Sequence, residues 1–150
     1  ITNALFDAIA TGVLARFPMT DVKAEVVDCV IMDEEMASDV AFRSAAVMGF
    51  RETALAAQPE LLEPIMSLDI VTPPEYVGDI MGDINSRRGQ VCDMDMKGDL
   101  QNVRARVPLA ELFGYATAIR SLSRGRASYT METGAFAVVP RTVKEELLNR

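Results

Sequence analysis

Between residues 65 and 133 the spacing of apolar residues switches between two periods, and the order of the switches restricts the fold more than any composition does. Residues 65–71 read as a strand and residues 74–88 as an amphipathic helix. Residues 90–96 and 102–107 follow as two strands joined through Asp99 and Leu100. A second helix spans 109–124, and a fourth strand spans 127–133. In the third strand Val103, Ala105 and Val107 point one way and Arg104 and Arg106 the other, the period of a half-buried strand. Strand–helix–strand repeated twice is the split βαβ arrangement of a ferredoxin-like module.

The first helix of that module is signed at both ends. Pro74 suits the first helical position, where a missing N–H costs nothing. Val77, Ile80, Met81 and Ile84 then form one apolar stripe. Arg87 and Arg88 complement the dipole of the last turn, and Gly89 is expected to take the left-handed stop. Gly78 and Gly82, one turn apart, are expected to flatten a flank so that another backbone can approach. In the second helix Leu112, Ala116 and Ile119 are expected to face inward, with Gly125 as the stop. A short helix over 142–149 closes the chain.

Before residue 64 the pattern differs. Leu5, Phe6, Ile9, Val13 and Leu14 predict a helix ending ahead of Phe17-Pro18, because residues before proline avoid the α region. Residues 21–31 are rich in Val and Ile and read as a strand. Ser38 is the expected cap, with Asp39 in the first turn, of an Ala-rich helix running to about Gln58-Pro59. One strand is not a sheet, so its partners are expected upstream of Ile1 or in another chain, as in a fragment. Charge divides the chain at the same place: the formal net charge of −7 falls on residues 1–63, while 64–150 is balanced. The expected fold class is α+β, with modules over residues 1–63 and 64–150.

These totals narrow the possible functions. No apolar run approaches the roughly 20 residues that span a bilayer. An acidic first part cannot attract nucleic acid diffusely, so any RNA contact must come from local basic spots in the second part. Arg120, Arg124 and Arg126 flank a helix end and a Gly turn, and either complement the dipole or meet RNA phosphate; Arg87 and Arg88 divide the same way. Cys29 and Cys92 have no paired spacing and are expected as reduced thiols filling core positions in the cytosol. The chain has no His, hence neither the commonest general base nor the usual zinc ligand. The run from Asp93 to Asp99 fails as a calcium loop, because Lys97 occupies a ligand position and Arg104 the place of the bidentate Glu. Phosphate-binding loops, dinucleotide glycine fingerprints and nucleophile elbows are absent. No acid–base or nucleophile constellation can be assembled. A stand-alone ferredoxin-like regulatory or ligand-binding module remains an alternative on fold alone.

The wording of several segments is more specific. Leu61-Leu62-Glu63-Pro64-Ile65-Met66 leads to Gly82-Asp83-Ile84-Asn85-Ser86-Arg87-Arg88-Gly89. Then come Val107-Pro108-Leu109-Ala110-Glu111-Leu112-Phe113-Gly114-Tyr115-Ala116-Thr117, Arg120-Ser121 and Gly125-Arg126. Together these strings resemble the C-terminal portion of bacterial translation elongation factor G. Residues 1–60 resemble it more loosely, through Leu14, Pro18, Asp21-Val22-Lys23 and the helix holding Ala41-Phe42 and Met48-Gly49-Phe50.

The resemblance implies a partial ribosomal-S5-like domain IV followed by domain V. It further implies a non-catalytic, cytoplasmic, ribosome-contacting arm of a GTPase that moves tRNA and mRNA, or recycles ribosomes in some paralogues. GTP and Mg would belong to an N-terminal domain of the parent, with no cofactor in this chain. The implied partner is the ribosome, at the decoding-centre side and the stalk base, with no membrane and no DNA. The implied RNA-contacting residues are Asn85, Arg87, Arg88, Arg120 and Arg124, and the implied domain IV tip loop is Val30, Ile31, Met32, Asp33, Glu34 and Glu35. The chain departs from the family at that tip. Family members carry an Asp-Gly-x-x-His stretch there, whereas Cys29-Val30-Ile31-Met32-Asp33 is one residue shorter and lacks the His, as in a divergent paralogue.

Overall fold

The computed structural model describes residues 1–32 and 34–149. The chain forms two compact units, one comprising Ile1–Leu61 with Pro140–Arg150 and the other Leu62–Val139.

In the first unit, α1 (Thr2–Thr11) packs on α2 (Asp39–Ala56). α1 stops before Val13 and Leu14, earlier than its apolar stripe suggests. Gly12 turns left-handed at φ 72° while its N–H bonds the Ala8 carbonyl at 2.8 Å, and a Cβ there would collide with the Phe17 carbonyl oxygen. α2 starts as expected: the Ser38 hydroxyl accepts from the Ala41 N–H at 3.2 Å, with Asp39 in the first turn. Residues 21–31 do not form a strand. They run without a ladder partner among the described residues and line an open groove of about 900 Å³ with Leu5, Met19, Phe42 and Phe50. A β-rich sequence makes a strand only where a second backbone satisfies its N–H and C=O groups.

The terminal helix α5 (Arg141–Leu148) groups with this unit, whereas the sequence places it with residues 64–150. Its Lys144 ammonium donates to the Pro59 carbonyl at 3.3 Å and meets the Glu60 carboxylate at 3.2 Å. Such links between distant residues leave no trace in local periodicity.

The second unit realises the expected ferredoxin-like topology. Its strands are β1 (Leu62–Thr72), β2 (Gln90–Lys97), β3 (Leu100–Pro108) and β4 (Ser128–Val138). They form one antiparallel sheet in the order β2-β3-β1-β4. α3 (Val77–Ser86) joins β1 to β2, and α4 (Tyr115–Leu122) lies between β3 and β4. The core joins Leu68 and Ile70 of β1, Ile80 and Ile84 of α3, Val103 and Val107 of β3, and Ile119 of α4, all buried. Asp93 and Asp95 lie on exposed β2 beside Arg104, whose guanidinium is 2.6 Å from Asp93 and 3.8 Å from Asp95. No group of three or more metal-ligating side chains occurs among the described residues, nor is any helix there long and apolar enough to cross a membrane.

Four local expectations are corrected. The helix predicted over 109–124 is two pieces: a 3-10 turn (Leu109–Leu112), an extended Phe113, Gly114 at φ 74°, and then α4. The left-handed glycine resets the helical phase, so Tyr115 takes the inward place expected of Ala116, which is exposed. At the end of α3 the left-handed residue is Arg88, at φ 57°, and not Gly89. Gly89 is required for space, since a Cβ would sit 2.7–2.8 Å from atoms of Ile84 and Val107. Gly78 and Gly82 admit no neighbouring backbone; a Cβ on either would meet nothing within 4 Å. Cys29 and Cys92 are both exposed, Cys92 beside a register shift between Val91 and Asp93 that breaks the alternation of β2.

Candidate nucleic-acid interface

Both helices of the second unit end the same way, and comparing the two ends separates arginines that hold the fold from arginines that face outward. At the end of α3 the Gly89 N–H bonds the Ile84 carbonyl at 2.9 Å and the Arg88 N–H bonds Asn85 at 3.2 Å. At the end of α4 the Gly125 N–H bonds Arg120 at 2.8 Å and the Arg124 N–H bonds Ser121 at 3.3 Å. These are the paired bonds of a Schellman stop, with arginine in the left-handed place that glycine usually fills. Arg88 and Arg124 have φ of 57° and 51°. For a residue with a Cβ that conformation costs roughly 1–2 kcal/mol.

At the first end the side chain compensates. The Arg88 guanidinium forks onto the Glu63 carboxylate at 2.8 and 3.0 Å and donates through Nε to Glu111 at 2.9 Å. These carboxylates, Glu63 first, push the Arg88 pKa up against the opposing effect of burial. Arg87 is committed too. It pairs with Asp83 at 2.8 Å, donates to the Glu111 carbonyl at 2.6 Å and lies over the Tyr115 ring, 5.3 Å from its centroid. The Tyr115 ring in turn meets Tyr129 edge to face at 5.1 Å. Of the residues expected at RNA, these two therefore spend their donors inside the unit. They pin the 109–115 connection. Asn85 is exposed next to them.

At the second end nothing compensates. Arg120 and Arg124 are exposed and, among the described residues, have no ion pair or side-chain hydrogen bond. Their neighbour Arg126 is engaged by Glu75 at 2.8 Å and stands over Tyr76. The Ser123 hydroxyl donates to Ile119 at 2.7 Å and accepts from Ala127 at 3.1 Å, fixing the turn into β4. A recess of about 340 Å³ opens beside Arg120, lined by Ala116, Gly125, Ala127 and Tyr129.

Along the chain this stretch is one-sided in charge. Residues 112–131 contain three arginines and no Asp or Glu, in a chain of net charge −7. At the head of this stretch stands Phe113, 83 % exposed. Sequence periodicity hides this residue, because a Phe inside a predicted helix reads as core; the signal that could have found it is the acid-free run. In the first unit the expected tip residues Val30, Ile31 and Met32 are exposed, and Glu34 and Glu35 begin a 3-10 turn (Glu34–Met36). Asp33 lies outside the described residues.

Chemically, the α4 end offers exposed, unneutralised guanidiniums beside small side chains and an aromatic ring. Guanidiniums with unspent donors can accept phosphate oxygens as partners.

Residues 1–58 match the sequence profile of elongation factor G, domain IV, and residues 60–147 that of the elongation factor G C-terminus. The second profile takes in α5, which by packing sits with the first unit. A crystal structure of a protein from Thermus thermophilus superposes with a TM-score of 0.76 at 32 % identity. The match covers 99 % of this chain and 22 % of that one, so this chain spans about a fifth of its relative's length. The chain belongs to the elongation factor G family and comprises its domain IV and C-terminal regions.

Proposed function

We propose that this chain is the ribosome-contacting arm of a translational GTPase, and that its second unit rests on ribosomal RNA through the α4 end. GTP hydrolysis, with its Mg, would belong to another part of the parent protein, and the arm would serve the movement of tRNA and mRNA. The observation that carries this reading is the pair Arg120 and Arg124, exposed and unpaired on an acid-free stretch of an acidic protein. A net-negative chain gains nothing from diffuse attraction to RNA, so its hold depends on such discrete cations.

Co-sedimentation of the 150-residue chain with ribosomes tests the reading. Wild type is expected to bind, and Arg120→Ala with Arg124→Ala to bind more weakly. The slope of log affinity against log salt should fall by about 2, near one unit per lost phosphate contact. An unchanged slope in the folded double variant would remove these arginines from the interface.

A further inference from the structure

Resting on that reading, we infer that the recess between α4 and β4 seats one nucleoside phosphate unit, free or within an RNA strand, with its phosphate on Arg120 and its base against Tyr129. The recess has walls from two elements. α4 supplies Ala116, Ile119 and Arg120, and the turn into β4 supplies Ala127, Ser128 and Tyr129. β4 is an edge of the sheet, so no further strand of the sheet closes the opening.

The first property that selects the ligand is charge. Among the described residues Arg120 is the only charged one lining the recess, and no carboxylate there neutralises it. A helix C-terminus ordinarily repels an anion through its free carbonyls. Here they are occupied: Ile119 accepts from the Ser123 N–H at 3.0 Å and from its hydroxyl at 2.7 Å, and Arg120 accepts from the Gly125 N–H at 2.8 Å. Ser128 is exposed in the same lining and, among the described residues, its hydroxyl has no hydrogen-bond partner. A guanidinium with a free hydroxyl nearby suits the oxygens of a phosphate.

The second property is size and lining. About 340 Å³ corresponds to roughly eleven waters at about 30 Å³ each, so a bare phosphate leaves most of it unfilled. The remaining wall is apolar: Ala116, Ile119 and Ala127 contribute hydrocarbon, and Tyr129 a ring held edge to face by Tyr115 at 5.1 Å. The ligand therefore carries an anionic head on an apolar body, and a nucleotide stacks its base on such a ring while its phosphate meets the cation. Arg124 does not line the recess, so the two exposed arginines differ: Arg120 belongs to the seat and Arg124 to the open surface.

Backbone amide shifts of the 150-residue chain are followed by NMR during titration with adenosine 5′-monophosphate, adenosine and inorganic phosphate, with ribosome co-sedimentation in parallel. The monophosphate should move the amides of Gly125, Ala127, Ser128 and Tyr129 and bind more tightly than adenosine or phosphate alone. Arg120→Ala should weaken it about tenfold or more, the loss of a charged hydrogen bond, while Arg124→Ala leaves it unchanged. Ala116→Leu fills the recess from an exposed helical position at little cost in helix propensity and should weaken it as well. Arg120→Ala breaks no contact and decides alone if Ala116→Leu does not fold. Ribosome binding weakened by Ala116→Leu assigns the seat to a nucleotide of the RNA strand, and a loss confined to the monophosphate assigns it to a free nucleotide. If Arg120→Ala and Arg124→Ala weaken the monophosphate equally, the attraction is diffuse and the inference is wrong. If no amide of the recess moves while the arginine variants still weaken ribosome binding, the inference fails and the arginine reading stands. If wild type binds neither ribosomes nor the monophosphate, both fail together.

Discussion

Replacing each left-handed arginine by glycine separates what the two helix ends do. In both Arg88→Gly and Arg124→Gly the strained φ is relieved, a gain of roughly 1–2 kcal/mol. In both, the added freedom of the unfolded glycine removes about 0.5–1 kcal/mol. The variants differ in what the side chain leaves behind. Arg88→Gly strands Glu63, whose carboxylate is 12 % exposed, and loses a contact to the more open Glu111, 38 % exposed. A charged hydrogen bond to a largely buried group contributes about 1.5–3 kcal/mol, and the exposed arm well under 1 kcal/mol. The net expectation is a loss of about 1–2 kcal/mol for Arg88→Gly. Arg124→Gly, which breaks no ion pair, should gain up to about 1 kcal/mol. For a unit of this size each kcal/mol moves the thermal midpoint by roughly 4–8 °C. Arg88→Gly should therefore fall by about 10 °C and Arg124→Gly rise by a few degrees, at the expense of ribosome affinity. Tyrosine fluorescence during heating reports on the second unit alone, because Tyr76, Tyr115 and Tyr129 all lie in Leu62–Val139 and the chain has no Trp. Equal shifts of one sign would refute the claim that the carboxylate fork, and not the backbone, decides the balance at Arg88.

Two further outcomes rest on burial and space. The Tyr115 hydroxyl is buried without a hydrogen-bond partner among the described residues, so Tyr115→Phe should stabilise the second unit by about 1 kcal/mol, read from the urea midpoint by circular dichroism. Burial, aided by Asp83, holds the Tyr115 phenol well above its ordinary value near 10. The folded state thus keeps its proton more tightly than the unfolded chain. That contribution is complete below pH 10 and is lost as pH rises through the folded value. The advantage of Tyr115→Phe should accordingly widen above pH 10, and a constant gap would count against the burial argument. Gly89→Ala should cost about 1–3 kcal/mol by overpacking against Ile84 and Val107, whereas Gly78→Ala and Gly82→Ala, open on α3, should each gain close to 1 kcal/mol of helix propensity. Thermal midpoints moving the same way in all three would show that the crowding at Gly89 is not real.

What could be read from the chain alone followed the range of the interactions involved. Most strand and helix periods of the second unit, the Ser38 cap and the inward set Val103, Ala105 and Val107 depend on neighbours a few residues away, and these were legible. The β2-β3-β1-β4 sheet followed from them, because a split βαβ order leaves few ways to pair four strands. The misread places are those where a distant partner or a left-handed turn decides. Residues 21–31 have strand composition but no ladder partner among the described residues. The roles of the arginines were the least legible. Arg88 and Arg124 occupy the same left-handed position of the same helix stop, followed in each case by glycine. They differ only in that Glu63 and Glu111 reach one and, among the described residues, no carboxylate reaches the other. Local sequence cannot carry that distinction, since Glu63 lies 25 residues from Arg88 and Glu111 lies 23 residues away. The consequence is electrostatic: the arginine with acidic neighbours becomes part of the scaffold, and the one without them keeps its charge exposed and unneutralised.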